Sequence, residues 1–471
     1  MLFPTVEYGL FFTLALLLSW ATLCHHRAHK SILLILSYVF YGFWDWHFLP
    51  LLFIISCYGW VAAWGIARGR HVRIWLAIGI LACLSTLAWF KYAIFFLQNF
   101  INLGSAFGYT ITLKLPTPLL PLGISFMSFH AISMMMDVWR GKLKQVPPLS
   151  DVLLYVAFFP QLIAGPILRA STFIPHLQKA PDPDRIDTVR ALMLIAGGLF
   201  KKVVIANSLA TLLVDDVFAN PGSMSASQVL LGIYGYAAQI YCDFSGYTDI
   251  AIGCALLLGY HFPDNFNDPY KSASPQEFWR RWHISLSTWL REYLFIPLGG
   301  SHHGSARTLL NLMITMLLGG LWHGAAWNFV IWGGWHGLLL CVHRLWDQVW
   351  RGHGVGVWRS SRPWLICSRV LLFHAVCLGW VFFRATDFEQ AVNVLTRLGS
   401  GPWIADLTPG MLICVALGIG LQYLPVRTLL RLRLFAMQMP SLVIGAVFAL
   451  ALTMIEIMGP SAPAPFIYFQ F

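Results

Sequence analysis

The sequence predicts an all-α polytopic membrane protein. Of its 471 residues, 58% are hydrophobic and only 11% are charged, whereas ordinary globular domains carry about 25% charged residues. The apolar residues form long unbroken runs, unlike the short alternating segments of a membrane β-barrel. We therefore expect the apolar helices to pack as one membrane domain over residues 1–471.

A helix needs about 20 consecutive apolar residues to cross the hydrocarbon core of a bilayer. Residues 308–322 are too few to cross alone, and without them we expect roughly 11 transmembrane helices. The segment 152–167 is also short, and Pro160, Gly165 and Pro166 interrupt it. We predict a re-entrant element there, because broken helices are tolerated in a membrane only where protein or a cavity surrounds them. The candidate spans cover residues 2–22, 31–49, 50–67, 74–97, 118–139, 191–214, 228–258, 308–322, 324–345, 364–384, 408–425 and 441–459.

Short basic loops predict the orientation of these spans. Arg27, Arg70 and Lys142 lie in three such loops, each separated from the next by two spans, so all three loops fall on one side. Basic loops mark the cytoplasmic side, which places the N-terminus outside together with the acidic loop at Asp215 and Asp216. The first apolar run has no basic region before it, so we interpret it as the first span and not as a signal peptide.

Composition argues against several other classes. The formal net charge is +11, but the basic residues lie in short loops between spans, which does not indicate nucleic-acid binding. The nine cysteines form no CxxC pair and are interpreted as free thiols. We expect no metal, since the HxxxH spacing from His25 to His29 lies in a basic loop that repels cations. We also expect no permanently bound cofactor. No convincing internal repeat supports a repeat-built transporter.

His323 is the clearest candidate for a catalytic residue. Residues 308–341 contain no Asp, Glu, Lys or Arg, yet they contain His323 and His336. A titratable ring in hydrocarbon is costly and usually faces a cavity or a partner. Imidazole also exchanges protons near neutral pH. Gly320 and Gly324 beside it let a ligand or another helix come close to the backbone.

Residues 274–293 predict one amphipathic helix at the membrane interface. Ser274 is a good N-cap and Glu277 completes a capping box. Arg280 and Arg291 lie on a polar face, and two interpretations stay open: contact with lipid phosphates, or a basic wall for an anionic ligand. The apolar face comprises Phe278, Trp282, Leu286, Trp289 and Tyr293.

Charged residues also interrupt two spans. Asp243 and Asp249 lie six residues apart in the span 228–258, so they do not share one helix face. Buried acids need partners. Two interpretations stay open for Asp243 and Asp249: they form ion pairs with arginines elsewhere, or they orient a catalytic imidazole or the substrate. Lys201 and Lys202 are either a snorkelling surface pair or the lining of a cavity that attracts phosphate.

Longer motifs accompany His323. They are Pro121–Phe126 (PLGISF), Ala164–Ile167 (AGPI), Tyr241–Tyr247 (YCDFSGY), Asn265–Tyr270 (NFNDPY), Glu277–His283 (EFWRRWH) and Trp322–Gly324 (WHG). With these motifs the sequence resembles the membrane-bound O-acyltransferases, and most of all their bacterial alginate O-acetyltransferase branch. The resemblance implies a helical body with a cytoplasmic funnel, re-entrant elements and a thin central wall. It also implies that His323 is the catalytic histidine, with His283 or His336 as a second site residue.

The resemblance implies an enzyme of the bacterial inner membrane that passes acetyl groups from cytoplasmic acetyl-CoA to an exopolysaccharide outside. It implies a periplasmic serine-hydrolase-like partner and a polymer synthase complex, besides membrane lipid. The chain lacks the longer polar tail of the alginate enzymes, so a cellulose or another exopolysaccharide acceptor stays open. Two alternatives are D-alanyl transfer to an envelope polymer, and a transporter or flippase of lipid-linked sugars.

In the mechanism we expect, the pantetheine arm of the donor passes the basic segment. His323 then acts as general base on the acceptor hydroxyl or as a relay to a partner's serine, and Asp243 orients groups or balances charge. The residues expected to contact substrates are Arg280, Arg281, Arg291, Trp282, Trp322, Lys201 and Lys202.

Overall fold

The computed structural model describes residues 3–110, 119–163, 165–350, 361–403, 407–460 and 466–467. Within these ranges the chain is helical and has no β-strand, which confirms the predicted all-α class. Four helical stretches there are long and apolar enough to cross a membrane, or five if the bent pair Pro409–Tyr423 and Val426–Ala436 forms one span. The number of roughly 11 transmembrane helices stays a prediction.

The described residues form two compact units. The first draws on residues 1–187 and 254–262, and the second on residues 188–253 and 263–471. The single membrane domain expected over residues 1–471 stays a prediction.

The first unit contains nine helices among its described residues. They are α1 (Val6–Ala21), α2 (His26–Asp45), α3 (Leu49–Ala67), α4 (Val72–Leu87), α5 (Ala93–Ala106), α6 (Ile124–Trp139), α7 (Leu149–Ala157), α8 (Phe159–Leu162) and α9 (Ala170–Leu177). Helix α6 is enclosed from Ile124 to Asp137 and forms the core against α3 and α4. Lys30 of α2 pairs with the buried Asp151 of α7 at 2.5 Å, so a charge inside this unit has its counter-ion.

The predicted re-entrant segment is broken where the sequence suggests. Helix α7 ends at Ala157, and Phe158 leaves helical geometry before Pro160 enters the first turn of α8. Nearly every side chain from Asp151 to Ile163 is buried. A broken helix enclosed by protein satisfies the condition for irregular backbone at membrane depth. Re-entry from one membrane face stays a prediction.

The second unit contains the candidate site. Its described helices are α10 (Thr188–Leu199), α11 (Asn207–Leu209), α12 (Asp215–Ala219), α13 (Ala226–Leu257, whose last residues belong to the first unit), α14 (Pro275–Arg281), α15 (Ile284–Leu290), α16 (Gly304–His323), α17 (Trp327–Val349), α18 (Arg362–Arg384), α19 (Phe388–Ser400), α20 (Pro409–Gly420), α21 (Val426–Ala436) and α22 (Ser441–Met458). Two π-helical segments, Phe200–Ala206 and Ala210–Val214, join α10, α11 and α12. Asp215 and Asp216 are exposed and begin a helix, so the expected loop is wrong there, and their position outside the membrane stays a prediction.

The span predicted at residues 308–322 is longer than expected. Helix α16 starts at Gly304 and has 20 residues, which at 1.5 Å per residue gives about 30 Å. The additional residues include the polar Ser305 and Arg307, and α16 is not among the four helical stretches long and apolar enough to cross, so that this segment is too short to cross alone stays a prediction.

Candidate active site

A sharp bend between α14 and α15 positions the basic segment. Ser274 caps α14 as predicted, since its hydroxyl accepts a hydrogen bond from the Glu277 amide at 3.2 Å. The predicted continuous helix is wrong, because His283 has a φ of +42° and breaks it. The Asn265 side chain accepts a hydrogen bond from the Ser285 amide at 3.0 Å, which satisfies a free amide at the start of α15. The bend therefore depends on a side chain from a distant loop.

Helices α16 and α17 form an antiparallel hairpin with very close backbones. A Cβ atom at Gly320 would lie 2.1 Å from the Phe329 carbonyl oxygen, and one at Gly333 would lie 2.3 Å from the Met316 carbonyl oxygen. Only glycine permits this approach. The hairpin places His323, the last residue of α16, against the first turns of α17.

Trp332 lies between two of the predicted histidines. Its ring centroid is 4.9 Å from that of His323 and 4.9 Å from that of His336. His323 also meets the Phe383 ring edge-on at 5.2 Å, and His336 meets Trp279 at 5.2 Å. His323 is 4% exposed and His336 is 1% exposed. We call Trp279, Trp332, Trp380, Phe383, His323 and His336 the aromatic cluster.

His283 lies beside this cluster and is completely buried. Its Nδ1 is 3.2 Å from the Asn265 side-chain oxygen, and its ring is 6.2 Å from that of Trp322. Trp322 in turn lies 4.9 Å from His323. Each of the two proposed second histidines is thus linked to His323 through one tryptophan.

A cavity of about 720 Å³ opens beside α14 and α15. Arg280 and Arg291 line it, as the basic-wall interpretation expects, and Arg344 of α17 joins them. Trp279 lines the same cavity and also touches Trp332, at 5.8 Å between ring centroids. Ring contacts therefore lead from the arginine-lined cavity through Trp279 and Trp332 to His323.

Three predicted contact residues have structural neighbours instead of lining this cavity. The Arg281 Nε lies 3.0 Å from a Glu277 carboxylate oxygen, and its guanidinium donates to the Asn267 carbonyl at 3.0 Å. Trp282 is 1% exposed and packs against Trp380 at 4.9 Å. Trp322 packs between His283 and His323 as described above.

The predicted acids and lysines form ion pairs with each other. Lys202 pairs with Asp243, and both side chains are almost fully enclosed. The Ile467 amide donates to the second Asp243 oxygen at 2.9 Å. Lys201 pairs with Asp249 at 2.5 Å. The interpretation of a snorkelling surface pair is wrong for Lys202. The acids form ion pairs, as one of the two interpretations had it, but with lysines and not with arginines, because α10 and its π-helical extension pack along α13.

Sequence reasoning missed Trp279, Trp332 and Arg344. On α17, Trp332 lies four residues before His336, and Arg344 lies eight residues after His336. Trp332, His336 and Arg344 therefore share one face of that helix. This spacing was available as a signal. Asn265 had no such signal, since its role depends on a bend that only the fold reveals. Among the residues that the structure describes, no group of three or more His, Cys, Asp or Glu side chains could hold a metal ion.

Comparison with known sequences identifies the class of protein that has this helical fold, buried histidine and basic cavity. Residues 12–384 match the family described as MBOAT, membrane-bound O-acyltransferase family. The chain belongs to this family, which confirms the predicted resemblance, and it is an O-acyltransferase and a multi-pass membrane protein.

The relatives are named for transfer to envelope and extracellular polymers. The chain is 40% identical over 405 residues to the probable alginate O-acetylase AlgI of Pseudomonas aeruginosa, covering 84% of this chain and 74% of that protein. It is 38% identical over 395 residues to the peptidoglycan O-acetyltransferase of Helicobacter pylori, covering 78% and 73%. It is 30% identical over 282 residues to the teichoic acid D-alanyltransferase of Bacillus subtilis, covering 57% and 70%.

Proposed function

We propose that the protein transfers acetyl groups from cytoplasmic acetyl-CoA for O-acetylation of an exopolysaccharide. The observation that carries this proposal is the continuous path of ring contacts from the arginine-lined cavity through Trp279 and Trp332 to His323. In this proposal the charged end of the donor stays in the cavity, and its thin arm extends along these rings toward the buried base.

The cavity suits the nucleotide part of acetyl-CoA. Its volume falls within the range of about 300–1,000 Å³ typical of small-molecule sites. Arg280, Arg291 and Arg344 supply guanidinium groups, which bind phosphate through paired hydrogen bonds. No permanently bound cofactor takes part in this proposal, since a thioester is already activated for transfer.

His323 is the general base in the proposed mechanism. Its ring takes the proton of the acceptor hydroxyl as the oxygen attacks the thioester carbonyl carbon. Its position at the C-terminal end of α16 favours the resulting positive charge, because the negative end of the helix dipole lies there. Asp243 serves to balance the charge of Lys202, as their buried ion pair supports.

The names of the relatives support the class of acceptor. Two relatives are named for O-acetylation of alginate and of peptidoglycan, which supports a polysaccharide as the final acceptor, and we propose an alginate- or cellulose-type polymer. We propose that the acetyl group reaches it through a periplasmic serine-hydrolase-like partner beside a polymer synthase complex. The proposed location is the bacterial inner membrane with the N-terminus outside. D-alanyl transfer is the second candidate, since a D-alanyltransferase is 30% identical over 282 residues.

The test is thioester cleavage by protein purified in detergent and supplied with a soluble hydroxyl acceptor. We expect CoA release from acetyl-CoA, and we expect His323→Ala to slow it by about 10²–10⁴-fold, the usual contribution of a general base. His374→Ala is the matched control, because His374 is a partly exposed histidine of the same unit that bonds the Tyr234 hydroxyl.

Three outcomes would count against the proposal. Normal turnover by His323→Ala removes the histidine from the mechanism. Cleavage of a D-alanyl carrier-protein thioester without cleavage of acetyl-CoA favours the second candidate. Movement of lipid-linked sugar with no cleavage of either thioester favours a flippase and contradicts acyl transfer altogether.

A further inference from the structure

Trp332 carries a buried hydrogen-bond donor with no acceptor. The side chain is 1% exposed, and its indole Nε1 has no hydrogen-bond partner among the residues that the structure describes. The indole N–H can only donate. A buried donor left without an acceptor costs free energy, and native proteins rarely keep one without a reason.

Neighbouring tryptophans satisfy the same group within the protein. The Trp335 Nε1 donates to the Ala375 carbonyl oxygen at 2.7 Å, and the Trp380 Nε1 donates to the Tyr270 hydroxyl at 3.2 Å. Trp335 lies within one turn of Trp332 on α17, and Trp380 is in ring contact with Trp332. The fold thus provides acceptors for these two indole groups, whereas Trp332, between His323 and His336, and its neighbour Trp279 have none among the described residues.

The edge of Trp332 that carries the N–H lies next to Gly379 of α18, which has no side chain there. A Cβ atom at Gly379 would lie 3.5 Å from Trp332 Cδ1, the atom bonded to Nε1, and 3.1 Å from His336 Nε2. His336 Nε2 is also buried without a partner among the described residues. Of the two ring nitrogens without a partner among the described residues, His336 Nε2 thus lies beside Gly379, and Trp332 Nε1 is one bond away from an atom beside it.

We propose that the Trp332 indole N–H donates a hydrogen bond to the carbonyl oxygen of the acyl donor and stabilises the negative charge that develops on it. This inference rests on the proposed function. Trp332 touches the ring of His323, so a carbonyl bonded to its N–H lies beside the base that deprotonates the acceptor. The apolar rings around it, Phe383 and Trp380, exclude water and strengthen such a bond.

The proposed transfer passes through one tetrahedral adduct. The acceptor hydroxyl oxygen forms a bond to the carbonyl carbon while its proton passes to His323. The carbonyl oxygen becomes an oxyanion, held by the Trp332 N–H. The adduct then collapses, the carbon–sulfur bond breaks, and the proton moves from His323 to the thiolate. The products are the acetyl ester of the acceptor and free CoA.

The experiment removes the N–H without changing the shape of the ring. Trp332 is replaced by 3-benzothienyl-L-alanine, which carries sulfur in place of the N–H group, and CoA release is measured under steady-state conditions. We expect kcat to fall by about 10²–10³-fold, as for loss of one oxyanion donor, while KM for acetyl-CoA changes by less than about threefold. The same replacement at Trp335, whose N–H bonds a backbone carbonyl, is the matched control and keeps kcat.

A second measurement reads the bond directly. ¹³C-carbonyl S-acetonyl-CoA, an uncleavable ketone analogue, is bound to each protein, and its carbonyl stretch is recorded by infrared difference spectroscopy. Loss of the N–H should raise this frequency for the Trp332 replacement and leave it unchanged for the Trp335 replacement. Unchanged kcat or an unchanged carbonyl frequency in the Trp332 variant would overturn the inference, although the proposed function stands as long as the unmodified protein releases CoA. Absence of CoA release from the unmodified protein would overturn both.

Discussion

Arg280 and Arg281 are adjacent in sequence and have different surroundings. Arg280 lines the cavity, whereas Arg281 is held by Glu277 and the Asn267 carbonyl. We predict that Arg280→Ala raises KM for acetyl-CoA by about tenfold or more, since hydrogen bonds to charged groups contribute about 1.5–3 kcal/mol. It should leave KM for S-acetylpantetheine unchanged, because that donor lacks the nucleotide phosphates. The measurement is the rate of thiol release from the two donors.

Arg281→Ala is the control for this prediction. It should lower stability and leave the KM values of both donors unaltered. The effect of Arg280→Ala should shrink at high salt, because the side chain is exposed and its field is screened. Equal losses with both donors would show that Arg280 supports the helix and does not recognise phosphate.

Individual site residues were predictable where the sequence carries their chemistry locally. His323 stands out because a titratable ring interrupts a stretch without charges, and the structure finds it buried among aromatic rings. The partner of Asp243 was not predictable, since its pairing with Lys202 requires the packing of two helices distant in sequence. Arg344 lies at the end of a span, where an arginine ordinarily snorkels to the interface, and its place in a cavity depends on the position of α14.

The hairpin of α16 and α17 is the element on which the aromatic cluster depends. We predict that Gly320→Ala pushes the two helices apart, because the new methyl group would lie 2.1 Å from the Phe329 backbone oxygen. Since backbone cannot move aside as a flexible side chain does, we expect a loss of about 1–3 kcal/mol in stability and a larger loss of activity. The measurements are thermal unfolding in detergent and CoA release at a temperature where the variant is folded.

Gly334→Ala provides the matched control on the same hairpin. Its added methyl group would meet only a Leu317 side-chain atom at 3.5 Å, an ordinary contact, and alanine favours helix more than glycine does. This variant should be as stable as the parent or slightly more so. If both alanine variants behaved alike, close backbone approach would not be what holds His323 in place.

For residues 274–293 the sequence predicted correctly which side chains are buried, but it did not predict the break in the helix at His283. The predicted apolar face of residues 274–293 is buried at all five positions, because the spacing of aromatic residues records which side faces the core. The break at His283 was not predictable from that spacing. Asn265 stabilises the break, because its side-chain oxygen accepts hydrogen bonds from groups at the start of α15. The spacing of apolar residues within one segment gives no information about contacts with another segment.

For the whole molecule, the orientation in the membrane decides the direction of the acetyl transfer that we propose. The basic loops predict that Arg70 faces the cytoplasm and that Ser223 lies outside, and both side chains are exposed in the structure. A cysteine at Ser223 should react with an impermeant thiol reagent added to intact spheroplasts, and a cysteine at Arg70 should react only after lysis. Labelling in the reverse order would invert the topology and the proposed direction of transfer.

The host for this experiment needs two native thiols removed. Cys24 and Cys367 are exposed and would add background labelling. Serine replacements at both positions, checked for unchanged CoA release, give a suitable parent. The number of spans could not be predicted from hydropathy alone. Because of π-helical segments and bends, the helical stretches do not begin and end where the apolar segments do.

Ile467 completes the hydrogen bonding of Asp243 from 224 residues further along the chain. At a synthesis rate of about 5–20 residues per second, that residue is made about 10–45 s after Asp243. During this interval the nascent protein already holds the lysine partner of the carboxylate but lacks its backbone donor. The second unit therefore finishes the hydrogen bonding of its interior only late in translation.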